Sequence, residues 1–369
     1  MTQIAKAADA AQFLSLVPRM LGFTPTRSLV VIPMSQAKSI GVLRVDLPPD
    51  DEIEHVETVA STVIGMVCRL DAADSLCAVV YTDCPIDDAL PHRGLHEAIA
   101  VRADASGLGL LDALAVTPSG WGSFFAADHP AGGHPLDELA SHDPALPGVA
   151  PGDQAAGATI PRKDKAQRRG VAAALRSLRT AVDAVCGIES DGAHSSRVDP
   201  AALEAVCALD ELPRLYENAL RRGVDQPMDA AVIAWCLNRP SLRDVALVQW
   251  CGDTVAGQDA MEAQRRWEEG EQYPVELASV MWGEGRRPDP ERLETALALC
   301  RDVVALAPKR ERPGALAVCA WLSWALGRST HADRYARMVQ ALEPDHGLAD
   351  IVRSFVAAGH LPDWAFRRA

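Results

Sequence analysis

The sequence is poor in the features by which enzymes and membrane proteins usually declare themselves. Aromatic residues make up only 5% of its 369 positions. No Cys-x-x-Cys pair occurs, so the metal-site and dithiol-redox assignments that such pairs carry have no basis here. The glycine spacing of a P-loop or a dinucleotide fingerprint is missing, and so are GxSxG, HExxH and kinase motifs, which leaves nucleotide binding, serine hydrolysis and zinc proteolysis without a motif-level case. The longest apolar-rich stretch, Ala315 to Leu326, falls short of the roughly 20 residues a membrane span needs. No continuous apolar segment of signal-peptide length follows Lys6 before Pro18, so the expected location is the cytoplasm, with no membrane association. Positive charge is scarce as well: 36 Lys and Arg stand against 50 Asp and Glu, and the net charge of −14 opposes non-specific attraction to nucleic acid or anionic lipid.

What is present is the composition of a globular protein. With 48% hydrophobic and 23% charged residues, the chain can bury sizeable cores, and its length predicts about two or three domains. Nine dispersed cysteines, most in apolar surroundings, read as reduced core thiols. Near the start, residues 8–21 predict a short helix, and 28–34 and 40–47 two strands close enough to form a hairpin. An amphipathic helix over 51–70, with Val56, Val63 and Val67 on one face, leads to a strand at 76–81. A helix over 86–106, a strand over 110–116 and a short strand over 121–125 complete a ββαβαβ(β) order, which implies a mixed sheet with packed helices.

The rest of the chain changes character. Residues 126–160 gather prolines, glycines and histidines, a composition that predicts a linker or a long loop. From 161 to 369 strand signals disappear and an alanine-rich helical pattern takes over. The expected organisation is an α/β domain over 1–125, the Pro/Gly-rich segment, and an all-α domain over 161–369. Within the last, residues 296–308 align with 332–344, each keeping Ala, then Ala-Leu, then Pro at equal offsets with a 36-residue period. With Leu326-Gly327 before the second copy, the region at about 290–345 resembles a tetratricopeptide array, whose usual period is about 34 residues.

Residues 18–32, PRMLGFTPTRSLVVI, resemble the opening signature of the domain of unknown function 4192 family, found mainly in actinobacteria. The resemblance continues through Leu43 to Pro48, through Leu242-Arg243-Asp244, and through the helical stretch from about Pro313 to Trp364. It implies kinship and no particular activity. Relatives often carry a cysteine-rich patch after an aromatic strand, whereas here residues 121–136 contain no cysteine, so any role resting on paired thiols there is absent or replaced.

Candidate site residues are few. In the opening signature Gly22 and Pro25 read as a helix-to-strand corner, and Thr26, Arg27 and Ser28 as its polar rim, able to cradle a small ligand. Arg44 and Asp46 flank Val45 on a strand and share one face. Asp83-Cys84-Pro85 follows the third long strand, at the carboxyl end where open sheets place ligands; Cys84 would need a base to become a nucleophile, and His92 is the nominal one. His92 and His96 have i, i+4 spacing, and Asp128, His129, His134 and His142 crowd the loop, yet neither set has a ligand pattern, so no metal or other cofactor is expected. Trp321, Trp324 and Tyr335 predict helix packing first and a peptide-binding stripe second. A basic run from Arg162 to Arg179 reads as a solvated helix face or a dock for an acidic partner. Lys309, Arg310 and Arg312 lie far along the chain around Glu311 and add nothing to that run at the sequence level.

Two functional classes fit. The first is a protein-interaction or regulatory module, not an enzyme, that binds another protein through its helical part. The second is a hydrolase or transferase whose site lies around Thr26, Arg27, Ser28, Arg44, Asp46 and Asp83 at the strand ends.

Overall fold

The computed structural model describes residues 7–87, 89–126, 130–140, 149, 151–187 and 198–367. The chain divides into two compact units, Met1–Ala156 and Gly157–Ala369.

The first unit is an α/β fold in the order α1 (Ala10–Leu21), β1 (Ser28–Ser35), β2 (Lys38–Ser39), β3 (Leu43–Asp46), α2 (Ile53–Cys68), β4 (Ser75–Tyr81), α3 (Arg93–Ala105), β5 (Gly109–Val116) and β6 (Trp121–Ser123). Leu29, Val30, Val31 and Ile32 are all buried, because β1 is an inner strand covered on both faces. One side of β1 pairs antiparallel with β4, the other with β2 and β3; β4 and β5 are parallel, as the α3 crossover between them requires. Leu29 and Val31 pack with α2 and α3 on one face, Val30 and Ile32 with Leu14 and Val17 of α1 on the other.

Three elements differ from the sequence expectation. Of the strand predicted over 40–47 only β3 forms, and a two-residue β2 precedes it across a break at 40–42. Ile40 donates its N–H to the Pro33 carbonyl at 3.0 Å, but proline has no N–H to return, so the ladder lapses beside it. The helix predicted from residue 86 begins only at Arg93, since Pro91 disfavours helical backbone just before it and His92 takes a φ of 60°. The final strand ends at Ser123 rather than 125. Beyond it, among the described residues, the only β pairing is an isolated bridge from Trp121 to His134.

The second unit is helical: α4 (Lys165–Val185), α5 (Pro200–Cys207), α6 (Leu212–Arg222), α7 (Pro227–Leu237), α8 (Pro240–Cys251), α9 (Thr254–Glu268), α10 (Val275–Ser279), α11 (Pro290–Leu306), α12 (Pro313–Ala325), α13 (Ser329–Gln340) and α14 (Gly347–Ala357). Many of its prolines are helix starts: α5, α6, α7, α8, α11 and α12 each carry one in the first two positions, where the missing N–H costs nothing. Every residue of α12 is buried. The apolar stretch at 315–326 is therefore the central core helix, and no helix among the described residues is long and apolar enough to cross a membrane.

α12 approaches α7 end-on through a glycine. A Cβ on Gly314 would lie 2.2 Å from the Leu237 carbonyl oxygen, a backbone atom that cannot yield easily. Helix propensity alone would make Gly314→Ala stabilising by about 1 kcal/mol. Overpacking against backbone reverses the sign, and a net loss of about 1–2 kcal/mol in urea unfolding is expected. A raised midpoint would show that the helices are not so close.

Candidate functional site

The opening signature builds one side of a pocket in the first unit. Asp9 caps α1 by accepting the Gln12 N–H, and Gly22 ends the helix with φ 81°, donating its N–H to the Pro18 carbonyl at 2.8 Å. Pro18, inside α1, has no N–H to give the Leu14 carbonyl. The turn that follows is clamped by a distant glutamine. Gln154 Oε1 accepts the Thr26 N–H at 3.1 Å and its hydroxyl at 3.2 Å, while Nε2 donates to the Thr26 carbonyl at 3.0 Å. Arg27 is held at φ 45°, left-handed backbone that strains any residue but glycine, with its carbonyl accepting the Leu47 N–H at 3.1 Å.

The pocket, about 460 Å³, lies at the carboxyl ends of the parallel strands β4 and β5. Leu14 and Pro18 of α1, Tyr81 at the end of β4, Asp83 after it, and Thr117 after β5 line it together with Thr26 and Arg27. On this lining the exposed Arg27 guanidinium and Asp83 carboxylate have no protein partner among the described residues, and the Tyr81 hydroxyl, closed off from solvent, has none either. Burial pushes the Tyr81 hydroxyl well above the usual tyrosine range, so it stays protonated and able to donate.

Of the six sequence candidates, then, Thr26, Arg27 and Asp83 meet at the pocket, and Ser28, Arg44 and Asp46 do not. Ser28 is fully buried and donates to the Thr26 carbonyl at 2.7 Å; Arg44 Nε donates to Ser28 Oγ at 2.7 Å and Nη2 to Asp46 at 2.6 Å. This chain of hydrogen bonds stitches β1 to β3, where Ser28 pairs with Asp46 and Val30 with Arg44.

His92 serves a different partner from the one nominated. Its Nε2 lies 3.0 Å from the Thr82 hydroxyl and its Nδ1 3.3 Å from Asp51, while Thr82 Oγ1 also accepts the Cys84 N–H at 3.2 Å. Cys84 itself is exposed. His96 points elsewhere, stacked on Phe124 with centroids 4.6 Å apart, so the two histidines do not converge on a metal. His134 stacks on Trp121 at 4.5 Å, and Asp128, His129 and His142 lie outside the described residues. Among the described residues, one set of ligand-type atoms falls within 4.8 Å, that of Asp50, Glu52 and His55; all three are exposed, and Asp50 already accepts from His55 at 2.6 Å.

Trp321, Trp324 and Tyr335 are each 0% exposed, which corrects their candidacy as a partner-binding stripe. The indoles are anchored in the core of the second unit, Trp321 donating to the Met281 carbonyl at 3.1 Å and Trp324 to that of His360 at 2.7 Å. Alanine-rich α12 leaves room for large rings only inside the unit.

Sequence reasoning missed Tyr81 and Thr117, although the rule that selected Asp83 applies to both, since each sits at the carboxyl end of a β4 or β5 strand. It also missed Leu139 and Val149, which line the pocket from a segment expected to be a linker or loop. Nothing in their local pattern announces a wall.

Fold and pocket together define a two-unit protein: an α/β unit with a ligand-sized cavity at its strand ends, then a helical unit. The chain belongs to the family described as Domain of unknown function (DUF4192), which matches residues 11–270. No significant match is found among curated proteins or among solved structures. The matched span contains the opening signature and Leu242-Arg243-Asp244, and it ends before the stretch from Pro313 to Trp364. The second of these motifs is structural. The Leu242 carbonyl accepts the Tyr216 hydroxyl at 2.9 Å, and Arg243, only 8% exposed, bonds Asp244 at 3.0 Å.

His96 generates a pH prediction. Burial holds its imidazole below the ordinary 6.5, with Arg93 acting in the same direction and Glu97 against it, and its Nδ1 is buried without a partner. Below pH 6.5 the unfolded chain takes up this proton more readily than the folded one, so the contribution present above 6.5 is lost as pH falls through the depressed value. His96→Phe, which keeps the stack on Phe124, should flatten the fall of Tm between pH 6.5 and 5. An unchanged slope would mean that His96 does not carry it.

Proposed function

We propose that this chain is a regulatory interaction module in which the α/β unit holds a small polar molecule and the helical unit docks another protein. The observation that carries the first half is the pair of exposed charges Arg27 and Asp83, which line one strand-end pocket without protein partners among the described residues, beside the unsatisfied Tyr81 hydroxyl. A buried hydroxyl left unsatisfied costs about 1–3 kcal/mol, and a left-handed arginine costs about 1–2 kcal/mol more. Strain and orphaned polarity at one cavity are what a binding site stores and a merely structural corner avoids. The complementary ligand carries an acid group for Arg27 and a donor for Asp83, as a small amino or hydroxy acid does.

Support for the second half comes from the helices. α11, α12, α13 and α14 pack each against the next, and Gly327, at φ 77°, turns the chain between α12 and α13. This order suits a tetratricopeptide-like array, with earlier helices completing the stack. None of the nine cysteines forms a disulfide, in keeping with a reducing, cytoplasmic setting.

One observation favours a hydrolase or transferase instead: the relay from Asp51 through His92 to Thr82, with the acid, base and hydroxyl in the order that acyl-transfer sites use. Against it, Thr82 is 8% exposed and its oxygen is occupied by the Cys84 N–H. Hydrolysis of p-nitrophenyl acetate that disappears in both Thr82→Val and His92→Gln would favour the enzyme.

Arg27→Gly tests the binding reading. Glycine accepts φ 45° without strain, so Tm should hold or rise by a few degrees. A small molecule seen by native mass spectrometry on the intact chain should be lost from this variant and from Asp83→Asn. Retention by both variants would refute the pocket.

A further inference from the structure

The two basic groups that stand far apart in sequence are neighbours in the fold. Lys165, Arg168 and Arg169 from the first turns of α4, and Lys309 and Arg312 from the turn between α11 and α12, line one groove of about 460 Å³ in the second unit. The carboxylates of this neighbourhood are committed elsewhere. Asp164 caps α4 through the Gln167 N–H at 2.8 Å, Asp302 holds Lys163 at 2.9 Å, and the buried Glu311 binds Arg179 and, at 3.3 Å, Arg310. None of the five lining cations is paired with a carboxylate among the described residues. The Arg169 and Arg312 guanidinium groups each give one bond to a backbone carbonyl, Arg169 to Lys165 at 3.2 Å and Arg312 to Ala307 at 2.9 Å.

This arrangement is electrostatically unfavourable by itself. Like charges crowd together, and three of them sit on the opening turns of α4, where the helix dipole is positive and cations are disfavoured. Burial chiefly, and the charge of Arg168 beside it, hold the Arg312 guanidinium below its usual value. An anion seated there relieves the repulsion among the cations and their clash with the helix dipole.

We propose that the groove docks a carboxylate-rich segment of a partner protein. Its floor is apolar, formed by Leu306, Ala307 and Pro308, and takes the aliphatic side chains of a peptide while the cations at the rim meet its acidic ones. Nucleic acid fits less well: the chain carries −14 overall, and no aromatic side chain lines the groove to stack on a base. The proposal deepens the docking half of the function proposed above and does not depend on the pocket of the first unit.

The test uses the full chain and a fluorescein-labelled ten-residue peptide of glutamate and leucine, followed by anisotropy. Binding at 50 mM salt is expected to weaken at least tenfold at 300 mM, and at least tenfold in the double variant Arg168→Glu with Lys309→Glu. The exposed residues of a control, Arg222→Glu with Arg286→Glu, shift net charge equally and should leave affinity unchanged. Arg27→Gly should bind the peptide as the native chain does, which separates failure of this proposal from failure of the pocket. No peptide binding, equal loss in the control, or tighter binding of a single-stranded oligonucleotide or of inorganic phosphate through the same two residues would each overturn the proposal.

Discussion

Glu311 is a carboxylate only 7% exposed, placed just before the most deeply buried helix of the second unit, and a charge in that position has to be answered. Arg179 from α4 and Arg310 beside it supply the answer. Backbone at the same corner is satisfied by Asn238, whose amide nitrogen donates to the Ala234 and Glu311 carbonyls, both at 2.9 Å, while its oxygen accepts the Gly314 N–H at 2.9 Å. One asparagine thus closes α7, the α11–α12 turn and the start of α12 together. Gly314 can come so near Leu237 because it has no Cβ. Because these bonds hold α4 beside the α11–α12 turn, the cations on both elements become neighbours. The basic groove is a by-product of satisfying one buried acid, and its charge is left over after the local acids have been used.

The first unit shows the same logic in a different currency. Among the described residues, four that are not glycine adopt positive φ: Arg27, Gln36, Ala37 and His92. Gln36 and Ala37 are the pair joining β1 to β2, where consecutive left-handed residues match the twist of a hairpin. Arg27 and His92 have no such excuse. Each sits where a connection meets the sheet, held by bonds on either side, Arg27 by the Gln154 clamp and the Leu47 N–H, His92 by Thr82 and Asp51. In both cases a polar side chain is put where relaxed backbone would not put it. His92 finds protein partners there, and Arg27 finds none among the described residues.

Much of the fold was legible because it depends on local pattern. The β-branched run at 30–32, the amphipathic spacing of α2 and the loss of strand signals after residue 161 are short-range properties, and each element formed where its pattern lay. The misplacements came from single residues that remove a donor or bar a conformation, Pro33 within the hairpin and Pro91 before α3. The candidate site was half legible. Position at a strand's carboxyl end found Asp83, and the polar turn found Thr26 and Arg27. Ser28, Arg44 and Asp46 share the polarity of those residues but spend it on one another across β1 and β3, and pairing of that kind is fixed by register, which polarity alone does not reveal.

Aromatic and charged residues therefore carry unequal information about function in this chain. Trp321, Trp324 and Tyr335 have the look of a recognition stripe, yet large apolar rings are worth most inside, and the core takes all three. Cations have no comparable refuge: unless an acid is near, burial is closed to them, and they remain on the surface wherever the fold carries them. Lys165 and Arg312 were unremarkable apart and became informative together, once the fold set them around one groove and the neighbouring acids had been assigned. In a chain without catalytic motifs, polar groups that the protein itself has not partnered are the better guide to what it binds.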